Sequence, residues 1–540
     1  MVLVAGLVGF YVWPSDFGHA DPELSKVEDS RQSTSVEIAT DSGSLTLTEA
    51  RGRQIYQTGE SSSGVPIVAN LGDSQTGIPG AALVCLNCHG ADGHGEPEGG
   101  IYPSVVTWSA LTRPYVARLE GGRRREPYNE RLLRRAITMG IDPSGNPLNR
   151  AMPRYNLSRQ DLDDLIAWLR KIGTDLPPGV TETSIRVGVL LPPTETFAEL
   201  NHAVSATLAA FFEQLNSSGG LYSRRIDVRT AAAPSDPQQR MAALQKLLER
   251  EEPFVVLNVW MEGAESELRP SLSNVSVPVI CPMTVAPPIT EAPFSNVFHL
   301  YSGLRGQVSV LANLHRRRSG VESALTAVIC RESGRSRKLA DVVSSSLVGS
   351  NPSVVPVDDQ AATESLARRM KQDDVRVVFL IDYGDVERQL LREAAQIGWL
   401  PAIFASGSLT GREVLDAPEA FQGRIMLAFC GSGGTLGASD ERFREFVERH
   451  KLADMDAAVV QDTYASASIL VKALTDAGSD VRHATLIESL EQMHEFNTGV
   501  LSPVSFGPNR RVGIRAVSVF SVDLRRQQLI LVHEQEAETD

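Results

Sequence analysis

Residues 85–89 read Cys85-Leu86-Asn87-Cys88-His89 and run into Gly90-Ala91-Asp92-Gly93-His94-Gly95. Two thiols three positions apart can each add across a vinyl group of a haem, and a histidine beside the second thiol then reaches the iron. On this reading Cys85 and Cys88 carry the thioethers of one covalent haem c, and His89 supplies one axial bond. A zinc half-site would need a second ligand pair at suitable spacing, whereas Cys281, Cys330 and Cys430 lie singly and far downstream. A redox dithiol of the thioredoxin kind belongs in a βαβ setting, and here a glycine-rich loop follows instead.

Further along, Asp142-Pro143-Ser144-Gly145-Asn146-Pro147-Leu148 leads into Ala151-Met152-Pro153-Arg154-Tyr155 and then a helical pattern over 159–172. Together with the thiol motif, this arrangement resembles the class I cytochrome c family. There, a methionine of a Met-Pro segment closes the second face of the iron, and a C-terminal helix packs against an N-terminal one. The resemblance implies an all-α cytochrome c domain over 45–173, with Met152 opposite His89. Met139, in the helical 130–140 stretch, is the rival sulfur and is expected to pack in the core. A His/Met pair raises the potential and suits electron transfer rather than oxygen activation. Residues 47–59 read as the first helix, with Gly52 and Tyr56 spaced as in that family, where glycine lets two helices touch. The Gly/Ser-rich stretch 59–80 reads as an exposed excursion.

Working back to the N-terminus, residues 2–13 form an apolar run of signal-peptide size, too short to span a bilayer comfortably. Gly18-His19-Ala20 offers small residues at a cleavage site, although no Lys or Arg precedes the run. Residues 1–20 are therefore expected to be a signal peptide or N-terminal anchor, and 21–44, rich in Ser, Thr, Asp and Glu, a flexible spacer. Haem c attachment happens outside the cytoplasm, which agrees with export to the periplasm. The 540-residue chain has room for about three or four folding units. Its 42% apolar and 22% charged residues are those of globular protein. A net charge of −14 with no basic tail argues against nucleic acid as a partner. Any membrane contact would run through the N-terminal segment alone. Between 113 and 135, arginines 113, 118, 123, 124, 125, 131, 134 and 135 outnumber Glu120, Glu126 and Glu130, a local charge of +5. The stretch reads either as a dock for an acidic redox partner or as an internally paired helix face.

Beyond a Pro/Gly-bearing linker at 174–183 the texture changes. Mostly apolar strands alternate with amphipathic helices, first over 184–281 and again over 324–405, which indicates parallel sheets covered on both sides. The opening Val187-Gly188-Val189-Leu190-Leu191-Pro192, the strand Val277-Pro278-Val279-Ile280 and Leu390-Leu391-Arg392-Glu393-Ala394 stand in the order found in another family. The region resembles the type 1 periplasmic solute-binding proteins, notably the branched-chain amino-acid-binding members that serve ABC transporters. The resemblance implies a two-lobed α/β domain over 184–535 whose chain crosses a hinge three times. The implied lobes are 184–301 with 429–498, and 302–428 with 499–533. Ligand groups in open α/β sheets sit on loops after the carboxyl ends of strands. The expected lining is Trp260, Met261, Glu262, Met283, Thr284, Asp382, Tyr383, Ser406 and Ser408. Met261 stands where that family usually has serine, and the aromatic and thioether groups point to an apolar or aromatic small molecule. Cys281, Cys330 and Cys430 each follow an apolar strand and read as inert buried thiols, or else as soft ligands for a thiophilic metal.

These features add up to an exported electron carrier with a solute-binding module. It is expected to accept electrons in a periplasmic oxidation from a redox partner, a quinoprotein dehydrogenase or another cytochrome, and not to be an enzyme itself. The alternative is an ABC-transporter-type or sensory binding protein whose haem reports redox state. No Gly-x-Ser-x-Gly, His-Glu-x-x-His or phosphate-binding loop is present.

Overall fold

The computed structural model describes residues 45–537, except 73, 75, 96–102, 115, 119–123, 175, 266–276, 287–295, 320–324, 333, 348–351, 358–362, 382–383, 411 and 432–440. The expected signal segment and spacer at 1–44 thus lie outside the described residues. The chain divides into two compact units, with the boundary between Leu176 and Pro177.

In the first unit, α1 (Leu47–Thr58) opens on a capping box. Thr46 Oγ1 accepts from the Glu49 amide, and the Glu49 carboxylate accepts from the Thr46 amide. The helix stops at Gly59, whose φ of 68° is the left-handed cap. A short α2 (Cys85–His89) carries the thiol motif, followed by α3 (Trp108–Leu111), α4 (Glu130–Met139) and α5 (Arg159–Lys171). Helices α1 and α5 cross in contact at Gly52, where a Cβ would stand 1.9 Å from the Asp164 carbonyl oxygen. Arg51 grips the Asp164 side chain with two bonds, at 2.7 and 2.9 Å. Ile55, Tyr56, Leu133, Ile137, Leu162, Leu165, Ile166 and Leu169 form the core.

The unit is not wholly helical. Within 59–80, β1 (Val68–Asn70) pairs antiparallel with β2 (Ile78–Pro79) and with the distant strand Arg154–Asn156. Ile67 and Ala69 are buried with the helices, so this stretch is a structural part of the fold and not an exposed excursion. Its apolar residues are too few to reveal strands through periodicity.

The second unit holds two sheets. Numbering the strands from the start of this unit, βa (Ser184–Leu191), βb (Arg225–Ala232), βc (Val255–Leu257), βd (Val279–Ile280), βe (Val297–Tyr301) and the late strand Val512–Ile514 form a six-stranded parallel sheet. The other sheet has parallel strands βf (Thr326–Cys330), Ser353–Pro356, Val377–Leu380, βg (Ala402–Ser406) and βh (Ile425–Cys430). Two antiparallel strands, Ala516–Asp523 and Gln528–Glu536, complete it. That terminal hairpin departs from the all-parallel expectation. Runs such as Val255-Val256-Leu257, wholly buried, are what a sheet covered on both faces requires.

The chain leaves the first sheet after Tyr301, leaves the second after Cys430, and passes once more between Ile514 and Ala516. The last passage corrects the expected lobe boundary near residue 498. Val504, Phe506 and Ile514 still pack in the core of the first lobe, because Val512–Ile514 pairs with βe.

Candidate functional site

The first site is built on α2. His89 is buried, and its Nδ1 lies 2.9 Å from the Ser104 carbonyl oxygen. A carbonyl only accepts, so Nδ1 carries the proton and Nε2 is the nitrogen left with a lone pair. Burial holds the imidazole below its ordinary pKa, hence neutral at pH 7. Cys85 packs against the core and burial pushes its thiol up to about 11, while Cys88 is exposed. Two hydroxyls brace the ends of the helix: Tyr155 donates to the Leu83 carbonyl at 2.5 Å, and Tyr56 to that of Gly90 at 2.6 Å. Met152 is partly buried against the same core. Its loop is clamped by Arg154, whose guanidinium donates to the carbonyls of Met152, Asn149 (3.1 Å) and Leu148 (3.2 Å). Two thiols and an imidazole with a fixed free nitrogen on one short helix fit a covalently held haem.

Met139 does not pack in the core. It ends α4 off the buried stripe of Leu133, Ala136 and Ile137 and is 62% exposed. The arginine-rich stretch is largely spent internally. Arg134 bridges Glu130 and Asp163, Arg125 is buried over the Tyr128 ring, and Arg135 donates to the carbonyls of Asp142 and Pro143. Arg113, Arg124 and Arg131 remain exposed, and the side chains of Arg118 and Arg123 lie outside the described residues.

The second site lies at the carboxyl ends of the two sheets. A hydrogen-bonded polar group gathers there around Gln307, which sequence reading did not single out. Ser406 donates to its Oε1 at 2.6 Å, and its Nε2 donates to Ser408 at 2.7 Å and approaches the Cys430 sulfur at 3.5 Å. Across the passage between the sheets, the Tyr301 hydroxyl donates to Asp462 Oδ1 at 2.7 Å.

The model for the periplasmic binding protein family matches residues 184–528, well over half of the chain. The chain belongs to the periplasmic binding protein family. This periplasmic binding protein also carries a cytochrome c domain, matched over residues 79–173, and such a domain implies haem. A Leu/Ile/Val-binding protein of Rhizobium johnstonii is 20% identical over 354 residues, which is 63% of this chain and 92% of the relative. A leucine-binding protein of Thermotoga maritima superposes with a TM-score of 0.51 at 17% identity, covering 65% of this chain and 99% of that one. A branched-chain amino acid ABC transporter protein of Thermus thermophilus, with bound valine, gives 0.52 at 15% identity, covering 67% and 97%. A fatty acid ABC transporter substrate-binding protein of Thermomonospora curvata gives 0.51 at 16% identity, covering 68% and 95%.

In this periplasmic binding protein several expected lining residues are not on an accessible surface. Trp260 and Met261 are each 1% exposed and belong to the core, with the Phe197 ring tilted against that of Trp260 at a centroid distance of 5.0 Å. The reason is local. A bridge between Trp260 and Met283 prolongs the βc–βd ladder, so the chain turns outward only after Met261. Ser406 and Glu262 are buried as well. Met283, Thr284 and Ser408 keep part of their surface, and Thr284 donates to Glu265 at 2.6 Å. Asp382 and Tyr383 lie outside the described residues. Cys281 and Cys330 sit in separate cores, and among the described residues no group of three His, Cys, Asp or Glu could hold a metal ion. Also among the described residues, no helix is long and apolar enough to cross a membrane.

Proposed function

We propose that this protein is a periplasmic c-type cytochrome that accepts electrons in an oxidation pathway, and that its second unit closes on a small molecule between two lobes. The observation that carries the first half is the His89–Ser104 hydrogen bond, which fixes the tautomer and aims Nε2 away from the backbone. Cys85 and Cys88 are the residues that would hold one haem covalently, and the His89 imidazole and the Met152 sulfur are those that would bind its iron. When bound, haem supplies one-electron redox chemistry. The protein's part is to keep the imidazole neutral and oriented, to seat Met152 through Arg154, and to exclude water around Cys85. Were His89 and Met152 both to bind the iron, no site would be left for oxygen, which would suit a carrier rather than an oxidase.

The two-sheet fold supports ligand binding by lobe closure, since the chain passes between lobes at points where small backbone rotations move whole sheets. Stopped-flow mixing with a reduced quinoprotein dehydrogenase or cytochrome tests the carrier reading. Rapid, salt-dependent haem reduction is expected, and no reduction by any such donor contradicts it. A second reading, a transport or sensory receptor whose haem reports redox state, draws support from the ABC-transporter relatives. It requires ligand affinity to differ between ferrous and ferric protein, because coupling between two sites is reciprocal.

A further inference from the structure

The stretch 59–80 departs from the end of α1 and returns to the point it left. Gly59 and Gly80 meet there, and a Cβ added to either would strike the carbonyl oxygen of the other. Loops whose ends touch in this way frequently carry function. What this one touches is the Met152 loop, on both sides of the methionine. After it, β1 runs antiparallel to Arg154–Asn156, with Asn70 opposite Arg154, Ala69 opposite Tyr155 and Val68 opposite Asn156. Before it, the Gly72 amide donates to the Arg150 carbonyl oxygen at 3.1 Å. Positions 70 and 72 thus hold positions 154 and 150, and Met152 stands midway between them.

The grip is anchored in the core. Ile67 and Ala69 are buried with the helices, and the Gly80 amide donates to the Ile67 carbonyl at 2.8 Å. Ser61 Oγ donates to the buried Asp161 carboxylate of α5 at 2.5 Å. The held strand is itself tied toward the thiol motif, because the Tyr155 hydroxyl donates to the carbonyl of Leu83, two residues before Cys85. Arg154 closes the Met152 loop on itself, whereas the stretch 59–80 fastens that loop to α5 and the helical core. The difference matters for a thioether. Its sulfur is neutral and a weak donor of electron pairs, so its hold on a metal depends on how seldom the segment bearing it opens. Free loops open at little cost, and a segment paired to a buried strand does not.

We propose that the stretch 59–80 is a positioning element for the Met152 sulfur: a backbone clip that keeps its loop closed and shuts competing ligands out. This inference rests on the reading that the Met152 sulfur binds the haem iron. Imidazole from solution can take that place only after the loop has opened, so its rate of entry measures the clip.

The experiment is stopped-flow mixing of imidazole with the ferric full-length holoprotein, with the sulfur-to-iron charge-transfer band as the record of Met152. A Cβ on Gly72 would stand 3.7 Å from that of Arg150, the separation found in disulfides. Oxidised Gly72→Cys/Arg150→Cys protein should take up imidazole at least about fivefold more slowly than the wild type, and neither single variant should be slower. Replacing residues 71–76 with Asn-Gly keeps a two-residue β1–β2 hairpin and removes the Gly72 bond, and entry should quicken by about fivefold. Arg51→Ala breaks the ion pair with Asp164 at the other end of the helix crossing and should lower the melting temperature while leaving the entry rate unchanged. Wild-type rates in both the cross-linked and the shortened protein, or a rate in Arg51→Ala raised as much as in the shortened one, overturn the clip and leave the Met152 reading intact. A ferric wild type without the charge-transfer band counts against that reading and the clip together.

Discussion

Arg154 donates to the carbonyl oxygen of Met152, two residues before it, and the same guanidinium reaches the carbonyls of Asn149 and Leu148. One planar fork thus fixes three carbonyls of the loop that presents the thioether. Gly140 makes room for it, since a Cβ there would meet the Arg154 Nε at 2.2 Å. Arg154→Ala should release the loop at a cost of about 1–3 kcal/mol. In ferric protein the sulfur-to-iron charge-transfer band should weaken and be lost at lower pH than in the wild type. Arg154→Lys, which keeps the charge but not the fork, should restore only part of it. An unchanged band in Arg154→Ala would show that Met152 is held without this fork.

Gly52→Val tests the helix crossing. The new Cβ would fall 1.9 Å from the Asp164 carbonyl, and backbone cannot yield as a flexible side chain can. Destabilisation of more than about 3 kcal/mol is expected in thermal melts followed by the Soret band. A nearby exposed control, Arg53→Ala, should shift the melt far less.

How much of this was legible in the sequence depended on whether a signal was local. Cys85-x-x-Cys88-His89 and Gly52 are short-range patterns with a chemical or steric meaning; the first forms a short helix with His89 buried, and the second stands where α1 meets α5. The alternation of apolar strands with helices likewise displayed two sheets. The strand at 68–70 was hidden because one of its partners, Arg154–Asn156, is remote in the chain. Trp260 and Met261 were misjudged because a single bridge to Met283 extends a sheet past its apolar run, and no local residue announces that. Asp462 and Gln307 were missed for a related reason: each lies on a helix and owes its place to neighbours far away in the chain, Tyr301 for the first and Ser406 and Ser408 for the second.

Asp462 also makes a prediction about stability. Burial pushes its carboxyl up to about 7 in the folded protein, against an ordinary value of 3.8. The native state therefore keeps a proton that the unfolded chain releases, and stability declines as pH rises from about 4 to about 7 before levelling off. Asp462→Asn removes this decline. In the absence of ligand the variant should melt above the wild type at pH 8 by several degrees, on the order of 2–4 kcal/mol, with the gap shrinking toward pH 4. A gap that does not change with pH would show that the carboxyl is not held neutral by burial.

The three C-terminal thiols should be unreactive in the native protein. Cys281 and Cys330 are buried, and burial raises the thiols of Cys281 and Cys430. Maleimide labelling near neutral pH should modify none of them before unfolding and all three in denaturant. Fast native labelling at Cys281 or Cys330 would mean that the cores open readily.

The most direct test of the account is acid–acetone extraction of protein matured in a host that attaches c-type haem. The account predicts that the Soret absorbance stays with the precipitated wild-type protein and is lost when Cys85 and Cys88 are both changed to serine. Haem that passes into the acetone from the wild-type protein, or a wild-type protein that carries none, would contradict it.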